Sequence, residues 1–237
     1  MNDQVTQDGR RRGGRRERRD IRTRPDHAML PTLDIRLPLT EPMDAEQIEK
    51  IDTASLDILE EVGVVFRDEI ALEDWRRAGA DVRGERVHLD RHMVKSLIST
   101  IPSSITLHAR NPEKTVALGG RKSIFVPMTG APYLRDLEDE RRAPTLDDLA
   151  TFHKLSHMLP AMHSSAHHIV EPMDHPISHR HLRITHSSML HSDKVFMGMT
   201  TSGKNAEDVL DMCAILFGEE YLETHSVVVG NCNGNSP

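Results

Sequence analysis

The feature that most constrains this chain is an alternation of short apolar runs and helical periods between residues 123 and 231. The runs SIFVPMTGAP, AMHSSAHHIV, KVFMGMT and HSVVVGNCN each have the character of a short strand. The resulting β-α-β-α-β-α-β order predicts parallel strands joined by crossover helices. The predicted fold class is therefore α/β, either a barrel or an open sheet covered on both faces.

Three helices are predicted between these strands. The first begins near Thr145, the second has Pro176 in a position suited to a first turn, and the third ends at Gly218. The chain has no glycine-rich phosphate loop of the Rossmann or Walker type. Four strands do not close an eight-stranded barrel, so the sequence predicts an incomplete barrel over residues 123–237.

Upstream of this region, residues 29–122 predict helices and hairpins that pack on the barrel. Asp44 and Gln47 have capping-box spacing, and Gly63 stands where that helix is expected to end. A small hairpin is expected around Gly84.

Charge separates the first residues from the rest of the chain. Residues 1–24 hold nine arginines and four acidic residues, a net charge of +5. The overall net charge is −7, so the remaining residues carry a net charge of −12. Almost no apolar side chain is present there to offset the entropy of ordering. Residues 1–28 are therefore predicted to form a disordered Arg-rich arm. The arm lacks aromatic residues for base stacking, which disfavours nucleic-acid binding.

The composition, 37% hydrophobic and 28% charged, is typical of a soluble globular protein. No apolar run approaches the roughly 20 residues of a membrane span, and no apolar stretch follows the basic head as in a secretory signal. Cys213 and Cys232 are too few for a disulfide framework. We expect a cytoplasmic protein with no membrane association.

Polar residues follow each predicted strand of the alternating region. In parallel α/β folds, ligands bind at the carboxyl ends of the strands. The candidate substrate-binding residues at this end are Thr129, Gly130, Glu171, Thr200, Asn231 and Asn233. They offer neutral donors and acceptors and one carboxylate, a set that can orient a small polar ligand. Phe125 and Tyr133 are the aromatic residues expected near this mouth.

Histidine is concentrated between residues 153 and 191, which hold ten of the fifteen. His153 and His157 share a helix face at a spacing that can bind zinc, and His175, His179 and His186 could lie together on the next helix. The first helix lacks the glutamate of the His-Glu-x-x-His motif, and no third ligand is evident. Solvated or half-buried helix histidines are the favoured interpretation, and no metal site is predicted.

The sequence contains no convincing nucleophilic triad. Ser164 and Ser165 lie near His167, but a triad is defined by spatial arrangement rather than by proximity in sequence. Cys213 is expected in the core, whereas Cys232 lies in the loop after the last predicted strand.

Several stretches, taken together and in order, resemble the amino-terminal half of the trimethylamine methyltransferase family of corrinoid-dependent methyltransferases. They are RRRGGRRERR at 10–19, IDTASLDILEEVG through HARNP at 51–112, FVPMTGAPYLRDLEDERRAPTLDDLATFHKLSHMLP at 125–160 and GNCNGNSP at 230–237. The resemblance rests on the order of these blocks, because no single one is diagnostic.

The resemblance implies a (β/α)8 TIM-type barrel, in agreement with the alternation. It implies transfer of a methyl group from a methylated amine, such as trimethylamine or glycine betaine, to the cobalt of a corrinoid protein. The corrinoid (cobalamin) would be supplied by that partner protein rather than bound directly, and the complete protein would form a homo-oligomer. Family members are about twice as long, so we expect this chain to be incomplete. The resemblance assigns no catalytic residue to this half.

Two other functions stay open. A truncated half-barrel could dock a corrinoid protein or a partner chain without catalysis. The arginines of residues 10–24 could also bind nucleic acid, although the sequence favours this least.

Overall fold

The computed structural model describes residues 28–38 and 40–231, and in it the chain forms two compact units. The amino-terminal unit contains Asp34–Ile105 and Gly119–Arg121. The other unit, here called the βα unit, contains Thr106–Leu118 and the chain from Lys122 onward. The arm predicted over residues 1–28 lies outside the described residues except for its last position. Thr106–Leu118 therefore belongs to the same unit as the alternating region.

The chain enters through β1 (Leu33–Asp34), and the amino-terminal unit then begins its main helix, α1 (Ala45–Asp57). The predicted capping box is present, with the Asp44 and Gln47 side chains each accepting the other's backbone N–H. A π-helical turn (Ile58–Val62) follows and ends at Gly63, whose φ is 72°. A Cβ at Gly63 would lie 2.6 Å from the Val87 carbonyl oxygen, so only glycine fits there.

The rest of this unit is a small sheet flanked by two helices. The elements are β2 (Val64–Val65), α2 (Glu69–Ala78), β3 (Asp81–Arg83), β4 (Arg86–His88) and α3 (Arg91–Ser99). Antiparallel β3 and β4 form the hairpin predicted around Gly84, and β2 pairs with β4. Leu72, Val87 and Leu89 form the core of the unit.

The chain passes between the units through short strands. These are β5 (Ser104–Leu107), β6 (Val116–Gly119) and β7 (Lys122–Ser123), with a 3-10 turn at Pro112–Lys114. The βα unit continues with a hairpin, β8 (Leu134–Arg135) and β9 (Arg141–Arg142), followed by α4 (Leu146–Met158) and α5 (Ile177–His191). It ends with β10 (Phe196–Met197), α6 (Gly203–Phe217), α7 (Glu219–Leu222) and β11 (Val228–Val229).

Four parallel segments lie side by side in the βα unit, each bonded to the next along the chain. Ala131 bridges Val170, and Ser164 bridges Val195, in parallel orientation. β10 pairs with β11, also in parallel. We call these the first (125–131), second (163–171), third (195–198) and fourth (228–230) segments. The predicted mixed α/β class and the parallel order are confirmed.

The strands are less regular than the sequence predicted. The second segment forms isolated bridges rather than a continuous strand over residues 161–170. Ala166 in its middle is fully buried and has a φ of 56°, in the left-handed region. The Ser164 hydroxyl accepts the Ala166 N–H at 2.9 Å, so a side chain satisfies the amide at this kink.

The helix boundaries follow from local chemistry. α4 begins after Thr145, as predicted, and Thr145 and Asp148 form a capping box there. Arg142 binds both Asp148 carboxylate oxygens, at 2.7 and 2.8 Å, and holds the pKa of this carboxyl well below its usual value. α6 is capped by Ser202 and ends at Gly218, with φ 92°. Cys213 is fully buried among Met189, Phe196 and Val209, as predicted.

A buried ammonium group joins three elements at the amino ends of the segments. Lys194 immediately precedes the third segment and is 2% exposed. Its Nζ donates to the carbonyl oxygens of Ser156, Leu159 and Met162 at 2.7–2.8 Å. The cation thus satisfies carbonyls at the end of α4, where the helix dipole is negative, and in the turn before the second segment. Burial lowers its pKa to about 8, so it stays mostly protonated at neutral pH.

Neighbouring side chains extend this attachment. The Asp193 carboxylate accepts from Lys114 Nζ and lies 3.2 Å from His157 Nδ1. Arg110 donates to the Met189 and Ser192 carbonyls at 2.9 and 3.2 Å, at the end of α5. These hydrogen bonds attach the 106–118 stretch to the residues at the amino ends of the segments.

None of the described helices is both long enough and apolar enough to cross a membrane.

Replacing Lys194 by methionine tests the importance of the buried ammonium. The Lys194→Met variant keeps the side-chain volume but leaves three buried carbonyls without their donor. We expect the free energy of unfolding to fall by about 3 kcal/mol or more. Denaturant titration followed by circular dichroism measures it, with the exposed Lys154→Met on α4 as the control. A change within about 0.5 kcal/mol, the range of ordinary surface substitutions, would contradict this role.

Candidate functional site

The carboxyl ends of the first and second segments are held together by backbone hydrogen bonds. Gly130 N–H donates to the His168 carbonyl at 2.8 Å, and Glu171 N–H donates to the Ala131 carbonyl at 2.9 Å. Gly130 has a φ of 83°, a conformation that favours glycine. The structure thus places two predicted site residues, Gly130 and Glu171, at one edge.

Glu171 is oriented by an arginine from the following helix. Its Oε1 accepts from an Arg180 guanidinium nitrogen at 2.6 Å, and both side chains are mostly buried. Arg180 also donates twice to the His175 carbonyl, at 3.1 and 2.7 Å, which fixes the plane of the guanidinium. One carboxylate oxygen is therefore committed to Arg180, and Oε2 lies on the side of His168.

His168 stands on the other side of this carboxylate. Its Nε2 is 3.9 Å from Glu171 Oε2, and a Cβ added at Gly130 would lie 3.5 Å from the same nitrogen. Burial lowers the pKa of His168 and the Glu171 charge raises it, with burial the larger effect. The imidazole is therefore neutral at pH 7, and Arg180 is the cation that pairs with Glu171.

The ring of His167 stacks on the ring of His168 and restricts its orientation. The rings of His167 and His168 stack with centroids 4.0 Å apart and planes 12° apart. His168 N–H donates to His167 Nδ1 at 2.6 Å, so this nitrogen carries no proton. Burial, and then the positive forms of His168 and His153, lower the pKa of His167 to about 4.

His153 of α4 completes a buried layer behind the site. Its Nε2 donates to the His167 carbonyl at 2.7 Å, which assigns the proton to that nitrogen. Its Nδ1 then accepts from the Ser187 hydroxyl at 3.0 Å. Burial lowers the pKa of His153 to about 4. Both nitrogens are used, so this side chain holds the second segment against α4 and α5.

The third and fourth segments bring a second pair of positions together. A Cβ added at Gly230 would lie 2.9 Å from Thr200 Oγ1, so glycine lets the fourth segment approach this hydroxyl closely. Thr129 and Asn231 are exposed at the ends of their segments. Asn233 lies outside the described residues. Among described residues, no hydrogen bond or ion pair joins Thr200 or Gly230 to Glu171, Arg180 or His168.

Sequence reasoning missed His168 and Arg180. The position of His168 three residues before Glu171 is the signal that the sequence offers. Arg180 binds a residue nine positions earlier across the start of a helix, and no periodic pattern marks that separation.

The predicted histidine sets do not form metal sites. His153 is committed to its two hydrogen bonds, and His157 faces Asp193. His175 precedes α5 instead of lying on it, while His179 and His186 are exposed along that helix. Over residues 28–38 and 40–231, no group of three or more His, Cys, Asp or Glu side chains is arranged to hold a metal ion.

The serines near His167 have structural roles. Ser164 accepts the Ala166 N–H, and the Ser165 hydroxyl bonds the Ser188 hydroxyl at 2.7 Å. Neither forms a hydrogen bond with a histidine ring in the described part of the chain. Cys232 lies outside that part, and burial raises the pKa of Cys213 to about 11.

One of the two expected aromatic residues lies away from the mouth. The Phe125 carbonyl accepts from His163 N–H, at the start of the second segment rather than its end. Tyr133 directly follows the first segment and is half exposed, and the Arg141 guanidinium carbon lies 4.0 Å from its ring centroid. This ring already binds a cation through its face.

Comparison with known proteins gives a family match over almost the whole chain. The family model described as "Trimethylamine methyltransferase (MTTB)" matches residues 11–237. This range includes the arginine-rich stretch, the amino-terminal unit and the βα unit.

Individual relatives are also named as methyltransferases. The chain is 41% identical over 202 residues to the glycine betaine methyltransferase of Desulfitobacterium hafniense strain Y51, covering 85% of this chain and 42% of that protein. It is 26% identical over 200 residues to the trimethylamine methyltransferase MttB of D. hafniense strain DSM 10664 / DCB-2, covering 81% and 39%. It is 32% identical over 114 residues to the proline betaine:corrinoid methyltransferase of Eubacterium limosum, covering 48% and 23%. The chain thus spans about two fifths of the length of the first two relatives.

The buried neutral histidines predict a loss of stability in acid. The pKa values of His153 and His167 are about 4 in the folded chain, against 6.5 for the ordinary residue. Between these values the unfolded chain binds more protons than the folded one. Their contribution is therefore complete above pH 6.5 and is lost as the pH falls to 4, on the order of 3 kcal/mol for each histidine.

Denaturant titrations from pH 4 to 7 measure this effect. We expect His153→Gln to reduce the slope of unfolding free energy against pH, because one of the two protonation differences is removed. The exposed His92→Gln serves as the matched control. An unchanged slope in His153→Gln would show that this histidine does not titrate as inferred.

Proposed function

This chain belongs to the trimethylamine methyltransferase family, and from that premise we propose that the protein transfers a methyl group from a methylated amine to the cobalt of a corrinoid protein. The observation that carries the proposal is the 41% identity to a glycine betaine methyltransferase over 85% of the chain. Because this identity exceeds the 26% shared with a trimethylamine methyltransferase, glycine betaine is the substrate we propose.

We further propose that the βα unit is the first half of a (β/α)8 barrel. Four parallel segments in chain order, with α4, α5 and α6 as crossovers, support this interpretation. The coverage of 42% and 39% of the two relatives leaves room for the remaining strands in proteins of that length. On this proposal the carboxyl ends of the segments form the substrate end.

Glu171, as one half of an ion pair with Arg180, supplies a carboxylate oxygen that can face a quaternary ammonium. Arg180 holds the carboxylate in place through Oε1, and Oε2 points toward the neutral His168. Such a carboxylate attracts a cation without needing to bond it directly, because a methylated nitrogen has no N–H to donate. Around it, we propose Thr129, Gly130, Thr200, Asn231 and Asn233 as the polar lining of the same site.

The methyl group leaves the ammonium without its bonding electrons, and a neutral tertiary amine remains. This leaving amine needs no proton, so the site requires no general acid, in agreement with the neutral histidines around Glu171. Because positive charge leaves the nitrogen during transfer, the carboxylate stabilises the bound substrate more than the transition state. Glu171 is therefore a binding residue in this proposal.

The corrinoid supplies the nucleophilic cobalt that accepts the methyl group. We assign the corrinoid to a separate partner protein, and the relative named as a proline betaine:corrinoid methyltransferase supports this assignment.

Docking without catalysis is the second candidate function. Met128 and Leu137 are 82% and 100% exposed, just before and after the end of the first segment. Exposed apolar side chains beside a substrate end favour contact with another macromolecule. The chain could bind a corrinoid protein through this rim even if it does not turn over substrate.

One experiment separates these functions. The 237-residue chain is incubated with glycine betaine and a corrinoid protein reduced to the cob(I) state, and dimethylglycine is measured by mass spectrometry. Binding of the corrinoid protein is measured in parallel by biolayer interferometry. Dimethylglycine that depends on both proteins supports the enzyme, and binding without product supports docking. If neither dimethylglycine nor binding of the corrinoid protein is detected, both proposals for this chain are overturned.

Replacing Glu171 by glutamine tests its assignment to substrate binding. The amide keeps an acceptor for Arg180 but removes the negative charge. We expect KM for glycine betaine to rise about tenfold, corresponding to about 1.4 kcal/mol, with kcat unchanged or higher. The exposed Glu138→Gln is the matched control. A fall in kcat at unchanged KM would contradict a role in ground-state binding.

A further inference from the structure

The ion pair at the carboxyl ends of the segments carries two opposite charges that both keep some contact with solvent. An Arg180 nitrogen lies 2.6 Å from a Glu171 oxygen, and the two side chains are 13% and 22% exposed. The pair is neutral as a unit, so at a distance it acts as a dipole rather than as a charge. A ligand that binds here is therefore selected by the arrangement of its charges and not by its net charge.

Arg180 has N–H donors that no described residue accepts. A guanidinium carries five N–H groups. Nε and Nη2 each donate to the His175 carbonyl, at 3.1 and 2.7 Å, and Nη1 donates to Glu171 Oε1 at 2.6 Å. Over residues 28–38 and 40–231, one N–H of Nη1 and one of Nη2 thus lack a protein acceptor. The Nη2 donor lies on the edge between the two Nη atoms, because the Nε edge faces His175.

Glu171 has an oxygen to spare on its side of the pair. Oε1 accepts the Arg180 donor, whereas Oε2 is 3.9 Å from His168 Nε2, which is beyond hydrogen-bond distance. The ion pair therefore offers a ligand one carboxylate oxygen and two N–H donors side by side.

We propose that Arg180 binds the carboxylate of a betaine while Glu171 faces its ammonium group, so that the site selects zwitterions. This inference rests on the proposed function, in which glycine betaine is the substrate, and it makes Arg180 a specificity-determining residue. One methylene joins the two charged groups of glycine betaine, so its charges are adjacent, as they are in the ion pair. A ligand lying antiparallel to the pair places each of its charges against the opposite one. Guanidinium donors are also well matched to the two oxygens of a carboxylate.

Positioning alone is the competing role for Arg180. In that role it orients Glu171 without touching the ligand, and its removal changes the affinity for all ammonium ligands by the same factor. If Arg180 also binds the ligand carboxylate, its removal weakens only the zwitterion. A cation that has no carboxylate then binds as well or better, because the positive guanidinium that repels it is gone. The ratio of the two affinities therefore separates the roles.

Isothermal titration calorimetry with three ligands of similar shape measures this ratio. Glycine betaine carries both charges, and choline keeps the trimethylammonium group but has a hydroxyl in place of the carboxylate. In 3,3-dimethylbutanoate the carboxylate remains and a carbon atom replaces the charged nitrogen. We expect the unmodified chain to bind glycine betaine about tenfold or more tightly than either of the others, because each of them leaves one charge of the pair without its partner.

Three variants on the same helix complete the test. In Arg180→Gln we expect the affinity for glycine betaine to fall about tenfold or more relative to that for choline. Arg180→Lys keeps the positive charge but loses the planar donors, so we expect an intermediate ratio. The exposed Arg183→Gln is the matched control and should leave the ratio unchanged. Circular dichroism checks that each variant is folded, and the three ligands on the unmodified chain test the proposal without any substitution.

The outcomes separate this inference from the function on which it rests. Choline binding as tightly as glycine betaine to the unmodified chain would overturn the role of Arg180 and leave glycine betaine as the proposed substrate. Equal losses for both ligands in folded Arg180→Gln would do the same and reduce Arg180 to a positioning residue. If glycine betaine does not bind the unmodified chain, both this inference and the substrate proposal for the chain fail.

Discussion

The arrangement of the βα unit depends on a single buried cation. Lys194 bonds three carbonyls from the end of α4 and the turn that follows it, at the point where the third segment begins. Two crossovers and two parallel segments thus share one attachment. Asp193 and Arg110 extend it to the 106–118 stretch and to the end of α5. Because helix C-termini carry partial negative charge, cations are the groups suited to this end of the unit.

The opposite end has a different character. There Arg180 fixes Glu171 through one carboxylate oxygen, and the other oxygen remains beside a neutral imidazole. In parallel βα folds the amino ends of the strands serve stability and the carboxyl ends serve function. The positions of the lysine and the glutamate follow this division. A site with one carboxylate oriented by its ion pair with Arg180, and with a neutral imidazole beside it, suits a methylated ammonium, which has a positive charge but no proton to exchange.

Local chemistry was predictable from sequence, whereas long-range contacts were not. The caps at Asp44 and Thr145 and the helix ends at Gly63 and Gly218 are set by neighbouring residues, and the structure contains all of them. The strand alternation predicted the parallel order and placed Gly130 and Glu171 at one edge. The attachment of Lys194 spans up to 38 residues, and the kink at Ala166 depends on a serine hydroxyl. Neither the contacts of Lys194 nor the kink at Ala166 produces a periodic pattern in the sequence. Helical spacing of apolar residues does not by itself identify the buried face of α1, because Ile51 is more than half exposed while Leu56 is buried.

The central claim is that the amino ends of the segments hold the structure and the carboxyl ends bind substrate. Hydrogen–deuterium exchange with and without glycine betaine measures both ends at once. The account predicts that the substrate slows exchange in peptides covering residues 128–133 and 168–175. Peptides covering residues 110–116 and 192–195 should be protected equally with and without it. Substrate-dependent protection at the Lys194 end, or at neither end, would contradict the account.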